Sequence, residues 1–233
     1  FTYAELLSRS VRAARSLAGL GVRRGDHVGL LMPNCPDFVF AFYGAQLLGA
    51  VVVPINTRFR TRELGYVVEN ADLVVLLTSD IVEEHVDYVP LLHEALPGLA
   101  AADPMRLDLP TAPLLRHVVL LGRRSAPGMV DQAAFDAMAA SIPDEPVEER
   151  RAAVRVRDPG VILTTSGTTA SPKGCVLTHE ALVRTGQAAA ERWRLTHDER
   201  FWNPLPMFHM GGLFPLLAHM WEGATILTET RFD

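Results

Sequence analysis

The sequence predicts an α/β fold with parallel strands and helices on both faces of the sheet. Three observations lead there. Short β-branched or aliphatic runs (His27–Met32, Val51–Val53, Leu73–Leu77, His117–Leu121) alternate with longer segments of helical period. Glycines and capping residues punctuate the change from one to the other. Hydrophobic residues make up 48% of the 233 positions, enough to build a buried core. A βαβα alternation implies right-handed crossovers that lay helices over both sheet faces.

In chain order, Thr2 and Glu5 stand at capping-box spacing ahead of a helix to Leu17, with Ala4, Leu7, Val11, Ala14 and Ala18 on its apolar face. Gly19 and Gly21 end it, and His27–Met32 reads as a buried strand. Asn34 is the expected cap of the next helix, with Pro36 and Asp37 in its first turn and Gly49 at its close. The strand Val51–Val53 precedes a helix from Thr61 to about Asn70, the strand Leu73–Leu77 and a weaker helical stretch from Val82 to Leu96. Residues 97–113 read as irregular, His117–Leu121 as a strand and Asp131–Ala140 as a helix. The charged, proline-bearing segment 141–159 is the best internal boundary. Beyond it come a strand from about Val161, a helix capped by Thr178 and running to Trp193, and a short strand near Phe201. An apolar helix to Trp221 and the strand Ala224–Thr228 follow, and the absence of a closing helix leads us to expect more of the fold beyond Asp233.

A net charge of −5 argues against broad attraction to nucleic acid or to an anionic membrane surface, so phosphate recognition would have to be local. Cys35 and Cys175 are too few and too far apart for a disulfide framework or a zinc site, which favours reduced thiols and a cytoplasmic protein. Phe38–Thr57 carries no charge, but Gly44, Gln46, Gly49, Pro54 and Asn56 interrupt it, so no transmembrane segment is expected. Twenty-one arginines stand against one lysine, Lys173. In so arginine-rich a chain, a lone lysine points to a need for a compact, flexible ammonium.

Lys173 closes the stretch Gly160–Cys175, in which Thr164, Thr165, Ser166, Thr168, Thr169 and Ser171 carry hydroxyls around Gly167. Hydroxyls, freed backbone N–H groups and one ammonium are what a polyphosphate needs, and a loop leaving a strand can present them. The same composition also describes a polar surface loop, and by itself leaves both readings open. The order lysine, glycine, cysteine, valine excludes a Walker A loop, which needs glycine, lysine and then Ser/Thr.

The stretch closely resembles the phosphate-binding signature T-S-G-T-T-G-x-P-K-G of the acyl-adenylate-forming superfamily, which includes acyl-CoA synthetases, aryl-CoA ligases, luciferases and adenylation domains of peptide synthetases. Thr165, Ser166, Gly167, Thr168, Thr169, Pro172, Lys173 and Gly174 match, while Ala170 replaces the usual glycine. The resemblance extends over nearly the whole chain, through Thr2–Val28, Asn34–Asn56 and Pro206–Gly212. It implies the layered αβαβα N-terminal domain of that family, present in part over residues 1–233, with a C-terminal domain beyond it.

The activity so implied is that of an AMP-forming acyl-CoA ligase. A carboxylic acid and ATP give acyl-adenylate and pyrophosphate, and coenzyme A then displaces AMP. By the resemblance, Thr165, Ser166, Gly167, Thr168, Thr169 and Lys173 hold the ATP phosphates, Lys173 and Thr165 act in catalysis, and Thr165 helps hold Mg²⁺. Phe208, His209, Met210 and Gly211 fall where the family places its acyl pocket and carboxylate gate. Amino-acid-activating relatives carry aspartate at the position of His209, because it can pair with an α-ammonium; histidine fits a simple acid better. Transfer to a carrier protein is the rival within the class, and a noncatalytic nucleotide- or acyl-binding module the rival outside it. The adenine and ribose sites and the adenylation lysine are expected past Asp233, so the piece is not expected to turn over alone.

Other candidates read as structural: Arg58, Arg60 and Arg62 as a solvated face, His179 as a first-turn residue, and Cys175 as packing.

Overall fold

The computed structural model describes residues 1–143, 145–165 and 172–230. Eight helices and nine strands among them form a large sheet with helices on both faces, and a small second sheet. In order they are α1 (Tyr3–Gly19), β1 (His27–Leu31), α2 (Pro36–Leu47), β2 (Val51–Pro54), α3 (Thr61–Asn70), β3 (Leu73–Ser79) and α4 (Tyr88–Ala95). Next come β4 (His117–Leu121), β5 (Val130–Asp131), α5 (Gln132–Ser141), α6 (Glu145–Ala153), β6 (Pro159–Thr165) and β7 (Lys173–Thr178). The last are α7 (His179–Trp193), β8 (Arg200–Asn203), α8 (Met210–Glu222) and β9 (Thr225–Thr228).

The large sheet has the order β5-β4-β3-β1-β2-β6-β7. Every neighbouring pair is parallel except β6 and β7, which form an antiparallel hairpin with Thr165 opposite Lys173. Its central strands are mostly apolar and almost wholly buried because each face is covered. Val28, Leu30, Val52, Val119, Leu121, Val161 and Leu163 enter a core with α1, α2, α5 and α8. Leu31, Val51, Val53, Val118, Leu120 and Ile162 enter the opposite core, under α3 and α4. The small sheet pairs β8 and β9 in parallel, and α8 packs against both strands. Among the described residues no helix is long and apolar enough to cross a membrane; Phe38–Thr57 divides into α2, a turn and β2.

The Thr2–Glu5 capping box forms as the sequence predicts, with the Thr2 amide donating to Glu5 Oε2 at 2.8 Å. The buried face of α1 follows the predicted stripe in part: Ala14 is buried and Val11 and Ala18 are half-buried, but Ala4 is exposed and Leu7 is 57% exposed, while Ser10 and Leu17 are buried beside the stripe. Tertiary packing decides this. At Gly44 of α2 a Cβ would lie 2.9 Å from Ala13 Cβ and 2.9 Å from the Ser10 carbonyl oxygen, so the small residues of α1 turn toward that contact.

Asn34 does not cap α2. Cys35 occupies the cap position without a side-chain bond, because Pro36 starts the helix one residue later than an Asn34 cap requires. The predicted helix 82–96 shortens to α4, whose cap is Asp87, accepting from the Val89 amide at 3.0 Å. Within 141–159 lies α6, a helix that the charge pattern does not signal; its Val147 is fully buried in the core. Cys175, expected to pack, is exposed, because β7 is an edge strand whose residues 173–176 face solvent. Cys35 is buried, and that burial pushes its thiol up to about 12.

Candidate functional site

Strands β1, β2 and β6 run parallel, so their C-terminal ends share one edge of the sheet, the edge at which open α/β sheets bind ligands. At that edge β6 ends on Thr165 and turns back as β7 from Lys173. Thr165 Oγ1 donates to the Lys173 carbonyl oxygen at 3.3 Å, which closes the mouth of the hairpin. Both residues are exposed. Leu163 lies in the core on the α1, α2 and α8 side, so by strand alternation Thr165 and its cross-strand neighbour Lys173 face that side as well. Ser166, Gly167, Thr168, Thr169, Ala170 and Ser171 lie outside the described residues.

The segment from Asn203 to Gly212 sits at the same edge because Asn34, just past the C-terminal end of β1, holds it there. Asn34 Nδ2 donates to the Leu205 carbonyl oxygen at 2.9 Å, and Asn34 Oδ1 accepts from the Met207 amide at 2.8 Å. Asn203 Nδ2 donates to the Gly212 carbonyl oxygen at 2.9 Å, which closes the segment at its far end. Met207 is buried in the core, while Phe208, Met210 and Gly211 are half-buried. His209, exposed, caps α8: its Nδ1 accepts from the Gly211 amide at 3.0 Å. An accepting Nδ1 places the imidazole proton on Nε2, which is then a donor. The first turn of α8 adds the positive end of a helix dipole. Met207 lines a groove of about 560 Å³ whose walls also include Val39, Phe40, Leu216, Met220 and Ile226.

A sequence model described as "AMP-binding enzyme" matches residues 1–233, the whole chain. The chain belongs to the AMP-binding enzyme family. A long-chain-fatty-acid–CoA ligase of Mycobacterium tuberculosis, FadD13, is 31% identical over 237 residues, spanning 100% of this chain and 40% of its own length. The crotonobetaine/carnitine–CoA ligase of Salmonella enteritidis is 32% identical over 213 residues, which are 90% of this chain and 37% of that protein. Among solved structures, the inhibitor-bound N-terminal domain of FACL13 from M. tuberculosis superposes with a TM-score of 0.72 at 28% identity, covering 100% of this chain and 51% of that one. The chain thus spans about 40% of the length of such curated relatives.

In this AMP-binding enzyme chain the residues singled out by sequence fall into two groups at one sheet edge, Thr165 with Lys173 and Phe208 with His209, Met210 and Gly211. Arg58, Arg60 and Arg62 are exposed, as expected for a solvated face. Two residues escaped the sequence reading. Asn34 looks like a helix cap, and Asn203 sits unmarked at the end of a strand. Their partners lie 171 and 9 positions away, and no local pattern announces the longer of these pairings. No group of three His, Cys, Asp or Glu side chains converges among the described residues, but Mg²⁺ is ordinarily held by one or two protein oxygens together with substrate phosphates, and Thr165 offers one exposed hydroxyl of that kind.

His179 opens α7 behind β6 with its ring against Gly160, and its Nε2 is buried without a hydrogen-bond partner. Burial pulls its pKa below the ordinary histidine value, against the opposing pull of Asp158. The unfolded chain therefore binds a proton that the folded chain resists, so His179 lowers stability as pH falls through about 6.5. Urea midpoints at about pH 7.5 and 5.5 are expected to differ less in His179→Gln than in the wild type. An equal pH dependence in the two proteins would remove His179 from the account.

Proposed function

We propose that the protein carrying this chain activates a carboxylic acid with ATP, forming acyl-adenylate and pyrophosphate, and then transfers the acyl group to the thiol of coenzyme A. The observation that carries this reading is the hairpin mouth. It sets Thr165 and the chain's lone lysine across one ladder position at the C-terminal sheet edge, on the side of the sheet that also carries the His209-capped helix.

The division of labour follows from the chemistry of each end. Lys173, Thr165 and the loop residues Ser166, Gly167, Thr168 and Thr169 hold the β and γ phosphates. Their donors meet the charge that grows on pyrophosphate as the substrate carboxylate attacks the α phosphorus. At the other end, His209 Nε2–H and the first turn of α8 orient the carboxylate, which supplies the attacking oxygen. In the second step the coenzyme A sulfur attacks the acyl carbonyl and AMP departs. Thr165 Oγ1 would supply one oxygen to a Mg²⁺ ion bound with the phosphates, which would offset part of the charge on departing pyrophosphate.

The acid is an apolar one. Phe208 and Met210 border the carboxylate end, the groove lined by Met207 is mostly apolar (Val39, Phe40, Leu216, Met220 and Ile226, with the hydroxyls of Thr2, Thr225 and Thr228 among its walls), and His209 supplies no fixed negative charge for an α-ammonium. Supplied with ATP and each of acetate, octanoate, palmitate, benzoate and leucine, the protein is expected to release pyrophosphate with one or more of the apolar acids and not with leucine. Adding coenzyme A is expected to yield the thioester. Absence of acid-dependent pyrophosphate release across the set would sink the proposal, and release with leucine alone would overturn the assigned acid class.

A further inference from the structure

The feature that this reading leaves unused is the pair of hydrogen bonds made by Asn34. Its side chain is buried, with 8% exposure, and spends both ends of its amide on the backbone of one distant segment: the donor on Leu205 and the acceptor on Met207. From Met207 the chain runs through Phe208 to His209, whose own amide donates to the Pro206 carbonyl oxygen at 3.1 Å and whose ring caps α8. The strand that leads into the Asn34 loop is held at its last residue, where Thr78 Oγ1 of β3 donates to the Leu31 carbonyl oxygen at 2.8 Å in a fully buried contact. Two buried hydrogen bonds, Thr78 to Leu31 and the Met207 amide to Asn34, thus stand at either end of the short stretch of chain that joins β1 to the segment presenting His209.

Resting on the acid-activation reading, we infer that Asn34 is a positioning residue for the acid: by clamping Leu205 and Met207 it fixes where the imidazole of His209 and the first turn of α8 meet the carboxylate. Asn34 itself touches no reacting atom. Its removal leaves the buried Met207 amide without an acceptor and releases the partly exposed Leu205 carbonyl to water, so the segment loses both of its ties to the loop after β1. A displaced carboxylate anchor weakens acid binding and attack, whereas the ATP phosphates, held at the β6–β7 hairpin, keep their contacts.

The test compares Asn34→Ala and Asn34→Asp with the wild type in the full protein, using the apolar acid of the set above that gives the fastest pyrophosphate release. Asn34→Ala is expected to raise KM for the acid about tenfold while KM for ATP changes less than about twofold, because only the acid anchor moves. Hydrogen exchange at the Met207 amide is expected to speed up about tenfold or more, as its acceptor is gone. Asn34→Asp tests the hydrogen bonds themselves. A protonated carboxyl can donate to Leu205 and accept from Met207 as the amide does, so its acid KM, relative to wild type, is expected to fall back toward one as pH drops to about 5.5, burial having raised the carboxyl pKa.

Equal rises in both KM values, or unchanged Met207 exchange in Asn34→Ala, would overturn the inference while leaving the reading intact. If Asn34→Ala does not fold, Asn34→Asp decides: an acid KM that matches wild type at every pH, or that shows no recovery at low pH, overturns the clamp. A wild-type protein with no acid-dependent pyrophosphate release is a different failure, that of the reading, and the inference falls with it.

Discussion

Lys173→Ala is expected to slow acid-dependent exchange of labelled pyrophosphate into ATP about 10²- to 10³-fold, the usual cost of removing one fixed donor from a site of developing negative charge. Stability should hardly change, by about 0.5 kcal/mol or less, because Lys173 is exposed at the start of an edge strand and its backbone pairing with Thr165 does not need the side chain. Lys173→Arg sharpens the test. The rest of the chain uses arginine for its surface pairs, as in Arg24–Asp158 at 2.6 Å and Arg184–Glu180 at 2.9 Å, so arginine is well tolerated on this surface. A planar guanidinium, however, does not take the place of a compact ammonium toward phosphate oxygens, and Lys173→Arg is expected to recover only a small part of the lost exchange. Wild-type exchange in Lys173→Ala would end the catalytic assignment of the hairpin.

Gly212→Ala is expected to disable the acid end. A Cβ at Gly212 would fall far inside contact distance of the carbonyl oxygens of Leu205 and Pro206, which are backbone atoms held by Asn34 and by the start of α8. Either that turn opens or the first turn of α8 shifts, at about 1–3 kcal/mol of stability. Both outcomes move His209 from the carboxylate, so acid-dependent pyrophosphate release is expected to drop about a hundredfold or more. Gly211→Ala is the stability control: its Cβ would meet only the His209 ring at 3.3 Å and the Leu205 side chain at 3.4 Å, and its urea midpoint should stay near the wild-type value. The two measurements are an unfolding midpoint and a steady-state acid titration. A Gly212→Ala protein that titrates with acid as the wild type does would show that the turn is not held as tightly as its contacts indicate.

Much of this was legible in the linear chain. The capping boxes and caps at Thr2 and Thr178, the apolar strands and the bounds of α3 follow from local chemistry, in which a side chain answers to neighbours a few residues away. The hydroxyl stretch and its single lysine stand out because phosphate chemistry needs many donors in few residues, so such a site is written compactly.

Tertiary structure alone decided the rest. The burial of Ser10 in α1 was set by the close approach of Gly44 and not by the apolar stripe, because a helix packed between α2 and α5 buries whatever fits both. The strand character of Lys173–Thr178 came from pairing with β6, since an exposed edge strand carries little apolar signal of its own. Asn34 is the clearest case. From sequence it is a plausible helix cap; in the fold its amide reaches a segment 171 residues on, and a hydrogen bond costs the same to leave unmade at any sequence separation. What the sequence determined by itself was therefore the chemistry available to this AMP-binding enzyme chain, and what only the fold decided was where that chemistry is held, because packing and buried polar pairing are satisfied in space and not along the chain.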